Sequence, residues 1–319
     1  MLSRRLIRVK VFKILFGRII AGSDSLVGAE NELIASCEKT LDLYCMMLQL
    51  PIALKRVAEE RIEIGLKKFQ PTEEEANPNR KFVENGFVGI LENDVKFLKS
   101  CESKGLLWRD YEIFVKRLYS TVISRDYYKE YMASSERSLA EDCKLFTKIY
   151  EEEFVDSEEL EKILEDKSLY WNDDLAYSLT WCCKSLKSFA KGESWSLIPL
   201  YQSDMLQGSD VESDRAFVRK LLQSAFAGYE KYSAMVAESV SGWEKERLFS
   251  TDVVLIAMGL AEAATFPTIP VKVTMNEYVE ISKFYGTPKS RSFVNGLLDA
   301  LIQKLVNEGQ VSKAGKGLL

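Results

Sequence analysis

A chain of 319 residues, 46% hydrophobic and 29% charged, holds enough apolar mass to fold as one large or two small domains without disulfide or metal staples. It contains no histidine, which excludes His-based triads, HExxH zinc sites and Cys–His nucleophile pairs. The net charge of -5 means that a polyanionic partner would need a local cationic cluster.

The six cysteines, Cys37, Cys45, Cys101, Cys143, Cys182 and Cys183, show no Cys-x-x-Cys spacing and read as reduced residues packed as small hydrophobes. No glycine-rich phosphate loop or dinucleotide fingerprint is present, and no cofactor or metal is expected.

The chain opens with MLSRRLIRVKVFKILFGRII, in which six Lys or Arg residues precede the first acid, Asp24. Lys10, Lys13 and Arg18 interrupt what would be the apolar core of a signal peptide. An Arg-rich, acid-poor start also fits an organelle transit peptide. No run of about eighteen apolar residues occurs, so no membrane span and a cytoplasmic location are expected.

Ile7, Val11 and Ile14 form one helical stripe, and Val9, Phe12 and Phe16 a second. This first helix, about 4–21, would be held by a core while its N-terminal end and one flank present cations. Cations in a first turn oppose the helix dipole, which suggests a partner for the charge.

Helical periodicity continues almost without interruption over about 30–49, 52–69, 80–101, 108–131, 135–154, 158–165, 172–190, 213–239, 244–263, 275–285 and 290–307. Alternating strand patterns bounded by tight turns are missing. The polar stretches QPTEEEANPNRK and PLYQSDMLQGSDVESD read as boundaries. They give an N-terminal helical part at 1–70, an inserted helical region at 71–210 and a C-terminal part at 211–319. FVKRLYSTVI from Phe114 echoes FVRKLLQSAF from Phe217, a pattern also common to unrelated amphipathic helices.

Near the C-terminus, Pro267 and Pro270 predict an extended loop. Thr274 and Glu277 fit a capping box, and Val279, Ile281 and Phe284 an apolar side. Gly286 is placed to close that helix in the left-handed conformation. Asn295-Gly296 fits close helix packing.

The order Pro270, Val273, Asn276, Glu277, Val279, Glu280, Ser282, Lys283, Tyr285, Gly286, then Phe293, Val294, Asn295, Gly296, Leu298, Asp299, resembles the NusB family of bacterial transcription antitermination factors. The helices leading into this segment, and DRAFVRKLLQSAF from Asp214, match more loosely. Arg4, Arg5 and Arg8 occupy the places of the family's opening arginine-rich motif, although Val9 stands where that motif has an acid. The resemblance covers about the first twenty and the last hundred residues, with extra helices inserted between.

The resemblance implies an all-α fold of NusB-like helical bundles and a non-enzymatic function. That function is binding of single-stranded boxA RNA together with NusE, a small-subunit ribosomal protein, within an RNA polymerase antitermination complex that reads through ribosomal RNA operons. It implies phosphate contacts by Arg4, Arg5, Arg8 and Lys10, and base stacking by Phe293 with Lys289 and Arg291 beside it. Lys289 departs from the family, which often has an acid there.

Two other readings stand beside this one. A helical interaction scaffold could keep the fold without RNA binding; the N-terminal cations argue against it. NusB-like domains also occur fused to RNA cytosine methyltransferases, but neither a glycine-rich S-adenosylmethionine loop nor a Pro-Cys nucleophile is present.

Overall fold

The computed structural model describes residues 2–154, 157–201, 213–240 and 251–318. Every regular element among them is helical, and the sole extended pairing there is an isolated parallel bridge between Leu2 and Tyr201. The chain is all-α. It divides into two compact units: Glu38–Ile198, and Leu2–Cys37 with Pro199–Leu319. We call the first the inserted unit and the second the terminal unit, because the latter joins both ends of the chain. The expected divisions after residues 70 and 210 do not coincide with these boundaries. Most of PLYQSDMLQGSDVESD and the beginning of the expected helix 244–263 lie outside the described residues.

The terminal unit contains α1 (Arg4–Ile20), α11 (Asp214–Ser239), α12 (Thr251–Thr265), α13 (Val271–Tyr285) and α14 (Ser290–Asn307). Ser3 caps α1 by accepting a hydrogen bond from the Leu6 amide at 3.1 Å. Every residue of α12 from Val253 to Ala263 is buried, and α12 packs against α1, α11, α13 and α14. A helix apolar on all sides is stable only when surrounded in this way. Its last carbonyls need donors, and Lys313 supplies them, reaching Ala263 O at 2.8 Å and Phe266 O at 3.0 Å.

The boundary between the units falls inside α2 (Leu26–Leu66), a helix of 41 residues. The pattern predicts two helices separated at Pro51, yet the helix continues through it. Proline has no N–H, so the carbonyl four residues back, Met47 O, loses its helical donor. The Tyr150 hydroxyl takes that place at 2.8 Å, and Trp108 Nε1 donates to the neighbouring Met46 O at 2.8 Å. A third aromatic, Trp171, donates through Nε1 to Lys39 O at 2.7 Å. Residues distant in sequence thus satisfy the defect that local rules treat as a break.

The rest of the inserted unit is built from α3 (Glu73–Ala76), α4 (Gly86–Asn93), α5 (Val95–Ser103), α6 (Glu112–Ser124), α7 (Asp126–Ala133), α8 (Leu139–Glu152), α9 (Glu158–Lys167) and α10 (Leu175–Ala190). The expected helix 80–101 is interrupted at Asp94, whose carboxylate caps α5 through the Lys96 and Phe97 amides. The polar stretch at 70–81 lies within this unit. There Thr72 and Glu75 form a reciprocal capping box, with amide-to-oxygen distances of 3.0 and 3.2 Å. Phe82, Phe87 and Phe146 form the aromatic centre, with ring centroids 5.7–5.9 Å apart.

Candidate nucleic-acid interface

The sequence places three arginines in the first turns of α1, and the structure gives each a different environment. Arg8 is buried, 2% exposed, and pairs bidentately with Glu262, itself 0% exposed, through Nε and Nη2 at 2.7 Å each. Thr274 Oγ1 and Tyr278 OH donate to the same carboxylate at 2.9 and 3.0 Å. Four hydrogen bonds therefore satisfy the buried carboxylate, as an interior charge requires. Burial pushes the Tyr278 hydroxyl well above its ordinary pKa, and the Glu262 charge adds to this.

Lys10 is also buried, 3% exposed. Its ammonium donates to Ser36 O at 3.0 Å and Ser36 Oγ at 3.2 Å. The cationic flank expected along α1 is therefore turned inward at these two positions. Almost every residue from Leu6 to Leu15 is buried, and an interior cation must find oxygen acceptors within the fold.

Arg4 and Arg5 remain nearer the surface, with side chains 27% and 46% exposed. Arg4 Nε lies 3.3 Å from Asp214 Oδ1, and its guanidinium sits 4.6 Å from the centre of the Phe217 ring. Arg5 meets Glu277 bidentately at 2.8 and 2.9 Å. Burial acts to raise the Glu277 pKa, but the hydrogen bond from Arg5 and the charges of Arg8 and Arg5 outweigh it. The carboxyl is held below the usual range. These acids offset the conflict between the arginines and the helix dipole.

The same contacts correct the expected start of α13. It begins at Val271, with Pro270 at the cap and no side-chain cap bond. Thr274 is buried in the Glu262 network and Glu277 is held by Arg5, so the two form no capping box.

Gly286 ends α13 with φ -106° and ψ -167°, extended rather than left-handed. A Cβ there would come within 2.4 Å of the Ser290 side chain and 2.7 Å of Ser282 O, so the need is for space. Ser290 Oγ is fixed on both sides, donating to Asp252 and accepting from the Thr287 amide at 2.7 Å each. Gly296 is the reverse case, exposed on α14 with nothing within 4 Å of an added Cβ. It does not serve close packing.

Lys289 and Arg291, at the start of α14, are exposed, and Phe293 is half-buried. The half-buried Glu280 carboxyl of α13 is held below its usual pKa. Its hydrogen bond with Lys283 is the main cause, and the charges of Arg5 and Arg291 contribute further.

Phe284 also differs from expectation: it is 80% exposed and not part of the apolar side of α13. The signal was available in the sequence. Tyr278, Ile281 and Ser282 define the buried stripe, and helical periodicity puts Phe284 with Glu277 and Glu280 on the opposite face.

Among the described residues the terminal unit is an all-helical bundle with a buried Arg8–Glu262 pair, and with Arg5, Lys289, Arg291 and Phe284 at its surface. The NusB family model matches residues 193–303, from before α11 into α14. The chain is 34% identical over 107 residues to the transcription antitermination protein NusB of Salinibacter ruber, a match covering 34% of this chain and 67% of that protein. It is 34% identical over 113 residues to its namesake in Chloroherpeton thalassium, covering 34% of this chain and 54% of the relative. It is 26% identical over 100 residues to the one in Alkaliphilus oremlandii, covering 31% and 72%. The chain belongs to the NusB family. No solved structure matches it.

Proposed function

We propose that this protein is a transcription antitermination factor that binds boxA-type single-stranded RNA jointly with NusE. In this role it acts as a scaffold in the RNA polymerase complex, without catalysis, and promotes read-through of ribosomal RNA operons. The observation that carries the reading is the pair of solvent-accessible arginines, Arg4 and Arg5, on the first helix of a chain of this family.

RNA phosphates are contacted by Arg4, Arg5, Lys289 and Arg291. Phe293 stacks on a base, and the more exposed Phe284 extends that surface. Arg8 and Lys10 act from inside, fixing the helix that carries Arg4 and Arg5.

Few phosphate contacts give modest affinity and a shallow salt slope, so the partner supplies the remaining affinity through a joined site. The test is anisotropy of labelled boxA RNA at two salt concentrations, with and without NusE, beside a scrambled RNA. The expected result is preference for boxA, tightening by NusE, and loss in Arg4→Ala/Arg5→Ala and in Phe284→Ala/Phe293→Ala. Absence of binding to either RNA with NusE present overturns the reading. It would favour the interaction scaffold, for which the acidic partners of Arg4 and Arg5 are the supporting observation.

A further inference from the structure

The inserted unit contains a cleft of about 560 Å³, within the size range of small-molecule sites. Its wall is apolar, formed by α2, α5 and the segment leading into α6, with Ile52, Val57, Leu98, Leu107 and Trp108 among the lining residues. Trp108 is held on two sides: its indole N–H donates to Met46 O, and its ring stacks on Phe114 with centroids 5.5 Å apart. The apolar wall is thus preformed.

The charges around the cleft are equal in number but unevenly paired. Arg56 and Arg109 line it, both exposed, and neither has a carboxylate within salt-bridge distance among the described residues. Two of the three lining acids, Glu60 and Glu112, both pair with Lys116, the first at 3.1 Å. Glu102 is the remaining acid; with Lys116 the cleft has three cations and three carboxylates, and the two guanidinium groups are the cations that no carboxylate engages. Gln49, also in the lining, is buried, and its side-chain amide acts on the Cys101 thiol.

We propose that this cleft is a binding site for a small apolar anion: an aromatic or aliphatic body against Trp108, Leu98 and Leu107, with a carboxylate- or sulfonate-type group at Arg56 and Arg109. Arginine suits this position because its planar fork recognises such groups in two-point fashion. The site lies wholly in the inserted unit and stands independently of RNA binding.

The test uses the full chain and two fluorescent probes of nearly the same shape, anionic 8-anilinonaphthalene-1-sulfonate and uncharged N-phenyl-1-naphthylamine. The sulfonate is expected to bind one per chain by calorimetric titration. Arg56→Gln/Arg109→Gln, which alters only exposed side chains, should weaken the sulfonate about tenfold or more and leave the naphthylamine unchanged. Glu102→Gln should tighten the sulfonate, and Ala53→Phe, which fills the cleft, should abolish both. Circular dichroism and thermal unfolding report whether each variant is folded. Equal sulfonate affinity in the wild type and the double-arginine variant overturns the proposal, as does absence of one-to-one binding in the wild type.

Discussion

The two units are both helical, yet the helix at the centre of each is held by different chemistry. The terminal unit places a full charge pair inside, Arg8 with Glu262, and surrounds it with the Thr274 and Tyr278 hydroxyls. Around α2 the inserted unit uses neutral donors at aromatic tips, which bond main-chain carbonyls at Lys39, Met46 and Met47, and it keeps its buried cation, Lys81, farther along on Glu141 and Ser134 O. The contrast follows from what each must hold. The terminal unit joins α1 to α12 and α13 across most of the chain's length, and a forked ion pair fixes their register. The inserted unit surrounds a helix weakened at Pro51, where single donors suffice.

The ion pair provides the largest way to break this comparison. Arg8→Met leaves Glu262 buried without its counter-charge and is expected to destabilise the terminal unit by about 3–5 kcal/mol. Calorimetry should show the loss, and Arg8→Met/Glu262→Leu should recover a large part of it. Equal loss in the single and double variants would mean that packing, not charge, holds α1.

The aromatic donors are expected to matter less individually. Tyr150→Phe should cost about 1–3 kcal/mol, because Met47 O is left without a partner in the interior. Pro51→Ala restores an amide that can reach the same carbonyl, so the tyrosine change should cost less in that background. Urea titrations of the four proteins measure the coupling; zero coupling separates Tyr150 from the proline defect.

Two glycines of the terminal unit sharpen the distinction between crowded and open sites. Gly286→Ala should destabilise by about 1–3 kcal/mol, since the new methyl meets Ser290 and Ser282 O. Gly296→Ala should stabilise by up to about 1 kcal/mol, because helix propensity improves and nothing obstructs it. Denaturant midpoints for the pair, expected to move in opposite directions, decide the matter.

Much of this was legible in the sequence. Helical periods located most elements, and the segment from Pro270 to Asp299 carried the family. Local rules erred where a distant residue intervened. Pro51 read as a break until Tyr150 and Trp108 supplied donors. Thr274 and Glu277 read as a capping box, but each found a partner in another helix. Arg8 and Lys10 read as surface cations because composition records charge and not the carboxylate that waits in α12 or the carbonyl of Ser36. Phe284 was a different kind of error, since the period of α13 already placed it outward.

The sequence by itself determined the helical class, the family-bearing segment and the presence of a cationic start, because periodicity, caps and motif order are properties of neighbouring residues. The folded molecule alone sets which of those cations face solvent, how Pro51 is accommodated, and that Arg5 pairs with Glu277. Each of these depends on contacts between residues far apart in the chain, and the balance between desolvation and pairing is set only when those residues meet.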